Sequence, residues 1–351
     1  MPASVHATAQ RFEYSEVAMG GRARIVVYAP DQATAERACR DAFAGIAHLE
    51  DIMSDYRPTS EISRLCAKSG GPSVKVTPEL FFILQKSREL SRRSGGAFDA
   101  TVGPLVKLWR KARKTGVLPT QDEIKSARKL VGWHKMTLDS ENCTVQLKVP
   151  GMQLDLGGIA KGYACDEAMR ILKRAGIKSA LVEMGGDMVV SGPPPGKKGW
   201  EIEVLNAGST FNVQRSGFKV QGSTSKVRGS GANTATLVNC AISSSGDTEQ
   251  FVEIGGIRYS HIVDPRTGIG LTDRIAVTVI APNGITSDGL STAVSVLGAR
   301  RGRTLASTYP RISVYIRTAL KEVSVAPLIA QAIGRIHADD SVSDLFALAR
   351  G

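Results

Sequence analysis

Apolar residues recur at helical spacing over residues 33–53, where Ala35, Ala38, Cys39, Ala42, Phe43, Ile46, Leu49, Ile52 and Met53 fall on one stripe. Such a stripe predicts an amphipathic helix with one face on a core. Residues 24–28 are β-branched and short, which predicts a strand. A second helix is punctuated by Thr77 as N-cap, Pro78 in the first helical position and Gly95–Gly96 at its end. A third opens at Thr120, with Glu123 three residues on in capping-box spacing. A short helix is expected between them at 104–113. Strands follow at 136–138, 144–149 and 152–156. A helix at 159–175 ends at Gly176, and strands come next at 180–183, 188–191 and 201–205. Further strands are expected at 236–243, 251–254, 259–263 and 275–280, then a helix at 287–297 and a strand at 312–316.

Strands and helices mix here without strict βαβ alternation. The expected class is therefore α+β, with mixed or antiparallel sheets and packed helices in a single domain over residues 16–320. Residues 1–15 read as a flexible tail and 321–351 as a helical extension. Residues 206–235 are rich in Gly, Ser and Thr, carry Arg215, Lys219, Lys226 and Arg228, and contain no acid. They read as a flexible basic insertion, with a small hairpin about Arg215–Gly217.

The chain has 351 residues, 42% hydrophobic and 22% charged, a balance ordinary for a globular protein. The net charge of +12 suits nucleic acid, an anionic membrane or phosphate-bearing ligands. Aromatics at 5% and the lack of any nucleic-acid motif count against nucleic acid as a partner. Five scattered cysteines, with no CxxC pair, argue against a zinc site or a disulfide framework. No apolar run is long enough for a transmembrane helix. Residues 1–10 lack a basic region followed by an apolar run, so no export signal is read and the compartment stays open.

Four segments carry candidate chemistry. Asp155-Leu-Gly-Gly-Ile-Ala-Lys-Gly leads through glycines into a helix, whose first N–H groups can face a phosphate. Met184-Gly-Gly-Asp187 makes a sharp turn ending in a carboxylate. His261-Ile-Val-Asp-Pro-Arg-Thr-Gly268 brings an acid–base group, a carboxylate and a phosphate-compatible cation into eight residues. Ser287-Asp-Gly-Leu-Ser-Thr292 puts Asp288 and Thr292 four apart, on one helical face, a pairing suited to an oxygen-seeking cation. Each segment also has a plain structural reading as a turn or a cap.

In this order, together with Met19-Gly20, the stretch Met53-Ser-Asp-Tyr-Arg-Pro-Thr-Ser-Glu-Ile-Ser-Arg64 and Gly96-Ala-Phe-Asp-Ala-Thr-Val-Gly-Pro-Leu105, these segments resemble the ApbE family of FAD:protein FMN transferases over roughly residues 16–305. The resemblance implies an ApbE-like, T-fold-related domain holding FAD in a cleft. It implies Mg²⁺-dependent transfer of FMN from FAD to a Thr or Ser hydroxyl of an acceptor flavoprotein, with release of AMP. Met19, Tyr56, Ala97, Phe98, Asp99, Gly157, Tyr163 and Ile262 would then contact FAD, Tyr56 by packing on the isoalloxazine ring. Asp288, Thr292 and the Ala160 carbonyl would hold Mg²⁺, and His261 would be catalytic. Lys161 or Arg266 would stabilise the departing AMP. Cys66 stands where the family often shows Asn. Family members are often exported and membrane-anchored. Two other readings stay open on the same residues: a Mg²⁺-dependent FAD pyrophosphatase, and a flavin-binding protein without turnover. The basic insertion is expected to help dock the acceptor protein.

Overall fold

The computed structural model describes residues 9–204, 214–216, 233–246 and 251–318. The chain opens with a hairpin, β1 (Gln10–Ala18) and β2 (Gly21–Ala29), and continues into α1 (Gln32–Met53) and α2 (Glu61–Ala67). A short strand β3 (Val74–Lys75) precedes α3 (Pro78–Arg93), α4 (Gly103–Thr115) and α5 (Gln121–Leu130). Strands β4 (Met136–Asp139) and β5 (Thr144–Leu147) lead to α6 (Ala160–Arg174). Then come β6 (Ser179–Met184), β7 (Asp187–Val190), β8 (Trp200–Val204), β9 (Gln214–Ser216), β10 (Asn233–Leu237) and β11 (Cys240–Gly246). The end is β12 (Phe251–Ile254), β13 (Ile257–Ser260), β14 (Ile275–Ala281), α7 (Gly284–Ser307) and β15 (Ile312–Thr318).

One eight-stranded sheet, in the order β1-β2-β6-β7-β11-β14-β15-β9, organises the fold, and every pairing in it is antiparallel. Alternation along each strand gives the sheet two apolar faces. Ile25 and Val27 of β2, Val277 and Val279 of β14 and Ala241 of β11 face the main core, where α1, α6 and α7 pack. Val26, Leu181, Ile242 and Ile280 face the other side and are covered by Trp200, Ile202 and Leu237 of the paired strands β8 and β10. Full burial of each such aliphatic side chain stabilises by roughly 1.5–3 kcal/mol against exposure. The stripe read from residues 33–53 is the buried face of α1. A smaller cluster, Leu105, Trp109 and Ala112 of α4 with Ile124 and Ala127 of α5, forms a side lobe.

The α+β class with antiparallel sheets is as expected. The capping predictions also hold: Thr77 accepts from the Leu80 N–H, and Thr120 and Glu123 exchange both bonds of the capping box. Several boundaries differ, for physical reasons. Strand β1 begins at Gln10, inside the stretch read as a tail, because it pairs with β2 along its whole length. Residues 152–156 join no ladder. Their polar groups go sideways instead: the Leu154 N–H donates to Cys66 Sγ (3.2 Å) and the Asp155 N–H to the Ala100 carbonyl (2.8 Å). The expected strand at 236–243 is broken at Asn239, whose φ of 49° lies in the left-handed region that Asn tolerates. This break splits it into β10 and β11, on different sheets. Helix α7 starts earlier than expected, capped by Asn283, and a non-helical Gly298 interrupts it just after the expected end at 297. Within the basic insertion only Gln214–Ser216 and Asn233–Ala235 are described. Most of the expected hairpin and the whole C-terminal extension lie outside the described residues.

Candidate active site

Two helices meet at the centre of the site. Helices α6 and α7 run antiparallel and pack backbone to backbone. A Cβ added to Gly162 would lie 2.2 Å from the Gly284 carbonyl oxygen, and one on Gly158 would lie 2.9 Å from Thr292 Oγ1. Only glycine allows this approach, which explains the Gly-Gly-x-x-x-Gly pattern at 157–162. The contact sets Asp288 against the first turn of α6, where it accepts the Gly162 N–H at 2.9 Å. Thr292 lies one turn further along α7 and meets the Gly158 carbonyl at 3.4 Å. Asp288 and Thr292 thus both meet the glycine turn and first turn of α6, the helix that Ala160 opens.

Neighbouring polar groups complete this junction. Lys161 Nζ lies 3.1 Å from Asp187 Oδ2 and donates to the Gly185 carbonyl at 3.3 Å. Asp187 is also hydrogen-bonded to Ser243, whose hydroxyl meets Ser287 at 2.7 Å. Burial, followed by the nearby Asp187 charge, holds the Asp288 carboxyl well above the usual carboxylate range. Burial also raises Asp187, with Lys161 opposing it. Burial would lower Lys161, but Asp187 and Asp288 more than offset this and its pKa is raised. Asp166, one turn on from Gly162, accepts the Gly284 and Ile285 N–H groups at 2.7 and 2.9 Å and so caps α7. The role of Asp166 was not read from the sequence. Its spacing from Asp288 carries no signal without the helix pairing.

His261 is half-buried on the loop after β13. That loop is a narrow double strand: the Ser260 N–H donates to the Leu271 carbonyl, the Leu271 N–H to the Ile262 carbonyl, and the Asp264 N–H to the Ile269 carbonyl. Trp109 of α4 ties it down through Nε1 to the Gly268 carbonyl at 2.8 Å. Ile262, next to His261, packs with Ala97 and with Val296, one turn beyond Thr292 on α7. The loop thus bridges the side lobe and α7. Arg266 spends its fork on Asp264, at 2.9 and 2.8 Å.

The remaining expected contacts spread around this centre. Met19 and Gly20 form the β1–β2 turn, with φ of 50° and 77°. Because Ala23 pairs with Met184, that turn and the Gly185–Gly186 turn lie at the same end of the sheet. Gly157 donates to Asp155 Oδ1 at 2.8 Å. Tyr56 is 73% exposed on the α1–α2 connection, with the Arg110 guanidinium 4.2 Å from its ring centroid. Phe98 is buried in the main core. Asp99 has its oxygens engaged by Thr101 N, Thr101 Oγ1 and Trp133 N, all within 2.8 Å, so its carboxylate ties the 99–101 turn to the Trp133 backbone. Tyr163 is buried and stacks obliquely on Phe82 at 5.4 Å. Tyr163 lines a separate open cleft of about 590 Å³ beside Arg170 and Lys173, which contains none of the other expected site residues.

Comparison with known proteins places this geometry among flavin transferases. Residues 19–316 match the model of the ApbE family. The chain is 31% identical over 316 residues to an FAD:protein FMN transferase of Treponema pallidum, covering 87% of this chain and 84% of that protein. It is likewise 31% identical over 264 residues to one of Vibrio cholerae, covering 74% and 73%. The solved structure of the flavin transferase ApbE from Vibrio cholerae superposes with a TM-score of 0.73 at 28% identity, covering 89% of this chain and 97% of that one. The apo flavinyl transferase ApbE of Pseudomonas stutzeri gives 0.75 at 27% identity, covering 90% and 93%. The chain belongs to the ApbE family.

Proposed function

We propose that this chain is an FAD:protein FMN transferase that moves FMN from FAD to a Thr or Ser hydroxyl of an acceptor flavoprotein and releases AMP. The observation that carries this reading is the junction of α6 and α7, where Asp288, Thr292 and the start of α6 converge beside Lys161 and Asp187. The donors fit a hard cation such as Mg²⁺. Asp288 contributes one buried carboxylate, Thr292 a hydroxyl and Ala160 a carbonyl, and two buried carboxylates face a single lysine. The described residues hold no trio of His, Cys, Asp or Glu that would make an all-protein cage. Mg²⁺ needs none, since it commonly takes one or two carboxylates and completes its shell with substrate phosphates and water. When bound there, the ion would neutralise charge on the FAD pyrophosphate.

This chain's own residues do the rest. The acceptor oxygen forms a bond to the FMN phosphorus, and the bond from that phosphorus to the AMP oxygen breaks. The acceptor hydroxyl proton goes to His261, held by a loop clamped between Trp109 and Val296. AMP leaves as the anion, and Lys161, in the first turn of α6 and held by Asp187, is the cation nearest the α6 N-terminus, whereas the Arg266 fork is taken up by Asp264. Met19, Tyr56, Ala97, Ile262 and Gly157 border the FAD cleft, and Phe98 and Asp99 support its wall. Tyr163 supports α6 from behind.

The test is AMP release from FAD, with and without divalent cation and with and without a Thr-containing acceptor peptide. Flavin-labelled peptide appearing with AMP supports the transferase. AMP and free FMN regardless of peptide would make the protein a pyrophosphatase instead. Bound FAD with no AMP under any condition would leave a binding protein.

A further inference from the structure

Tyr56 is an unusual platform for a large aromatic ligand. It sits on the irregular stretch between α1 and α2 and is 73% exposed, so no apolar neighbour fixes its ring. A freely rotating side chain would have to be immobilised on binding, at an entropic cost. One contact removes that freedom: Arg110 of α4 lies 4.2 Å from the ring centroid, stacked on one face. The other face remains open.

Arg110 is itself held at both tips of its fork. Nη1 meets Asp55 Oδ2 at 2.5 Å and Nη2 meets Asp155 Oδ2 at 2.9 Å. Asp55 is the neighbour of Tyr56 in the chain. Asp155 belongs to the turn before α6, and its other oxygen accepts the Gly157 N–H at 2.8 Å. The Asp155 backbone is pinned in turn to the Ala100 carbonyl. The start of α4 is pressed against the same segment, since a Cβ on Gly103 would lie 2.8 Å from the Gln153 carbonyl oxygen. Arg110 therefore connects two parts of the site that are distant in sequence: the aromatic platform and the glycine turn that opens α6.

We infer that Arg110 is a positioning residue for flavin recognition: it holds the Tyr56 ring in its stacking orientation and fixes the distance from that ring to the Gly157–Gly158 turn. The inference rests on reading the site as one that binds FAD. A planar, two-ended donor is required for this, because the guanidinium must bridge two carboxylates and present a flat face to the ring at once. A lysine ammonium can do neither together.

The experiment is a double-mutant cycle on FAD binding, read by calorimetric titration of the wild type, R110K, Y56A and the double variant, with thermal unfolding as a folding control. R110K keeps the positive charge between the two carboxylates. It is expected to weaken FAD binding about five- to tenfold when Tyr56 is present. With Tyr56→Ala the same change is expected to cost less than about twofold, since the ring to be positioned is gone. Flavin fluorescence is expected to rise on Tyr56→Ala, which removes the stacked ring, and to rise likewise in R110K. Equal losses in both backgrounds, or no loss in either, would overturn the inference. Should R110K fail to fold, R110Q takes its place with the same expected pattern. A wild-type protein that binds no FAD would overturn the functional reading itself, which the cycle separates from a failure confined to Arg110.

Discussion

The junction of α6 and α7 and the rim at Tyr56 are built on opposite principles. At the junction, Asp288 and Asp187 are buried and Asp166 is half-buried, each partnered, and set by helices that touch backbone to backbone. At the rim, Tyr56 is exposed, and what holds it is a network of long side chains around Arg110. Under the proposed function, the difference suits two parts of FAD, the pyrophosphate and the flavin ring. Charge at a pyrophosphate is best met where the dielectric is low and donors are fixed. A flat ring needs an open face that it can reach, with its orientation already set. Substitutions at the junction should therefore damage rate and stability, and those at the rim should damage affinity.

The largest expected effect is at Asp288. Asp288→Asn keeps an acceptor for the Gly162 N–H but removes the only charged donor of the proposed cation set. Divalent-dependent AMP release should disappear, while circular dichroism stays native. His261→Ala comes next. It should slow transfer by about 10²–10⁴-fold if the imidazole takes the acceptor proton. AMP release at the wild-type rate would remove His261 from that role.

Asp166 separates stability from chemistry. Asp166→Ala leaves two buried N–H groups at the start of α7 without an acceptor, at about 1–3 kcal/mol each. Urea unfolding should show a loss of about 2–6 kcal/mol. The same residue gives a pH signature. Burial, outweighing the two N–H bonds, pushes the Asp166 carboxyl up to about 6 from an ordinary 3.8. The folded protein then holds this proton where the unfolded chain has lost it. Its contribution to stability is complete below pH 3.8 and is lost as pH rises through about 6. The stability advantage of the wild type over Asp166→Asn should shrink by about 3 kcal/mol across that window. A constant difference would show that Asp166 does not titrate there. The smallest effect is at the rim: Tyr56→Ala should weaken FAD binding by about tenfold, with AMP release at saturating FAD and the unfolding midpoint little changed.

Much of the site was legible before the structure. Asp288 and Thr292 four apart, the glycines at 157–162 and the grouped His261, Asp264 and Arg266 are local patterns, and local patterns survive folding. Three roles were not legible. Asp99 reads as a pocket residue but spends its oxygens on Thr101 and Trp133. Arg266 reads as a phosphate cation but pairs with Asp264 two residues away. Tyr163 lies on the helix that begins the site, yet its ring turns to Phe82. Asp99 and Arg266 are taken up by neighbours two residues away, a local competition the motif does not reveal, whereas Trp133 and Phe82 were brought to Asp99 and Tyr163 by packing.

By itself, the sequence determined the amphipathic helices, the caps at Thr77 and Thr120, the α+β class and the ordered set of motifs. All of these depend on interactions a few residues apart, whose energetics the local chain already contains. Only the tertiary structure decided that Asp166 caps a helix 118 residues away, that Asp187 holds Lys161, and that Arg110 spans Asp55 and Asp155 under Tyr56. Such pairs have no periodicity to betray them. They exist because α6 and α7 close to glycine distance and α4 presses on the segment before α6, and burial then requires each charge brought there to have a partner.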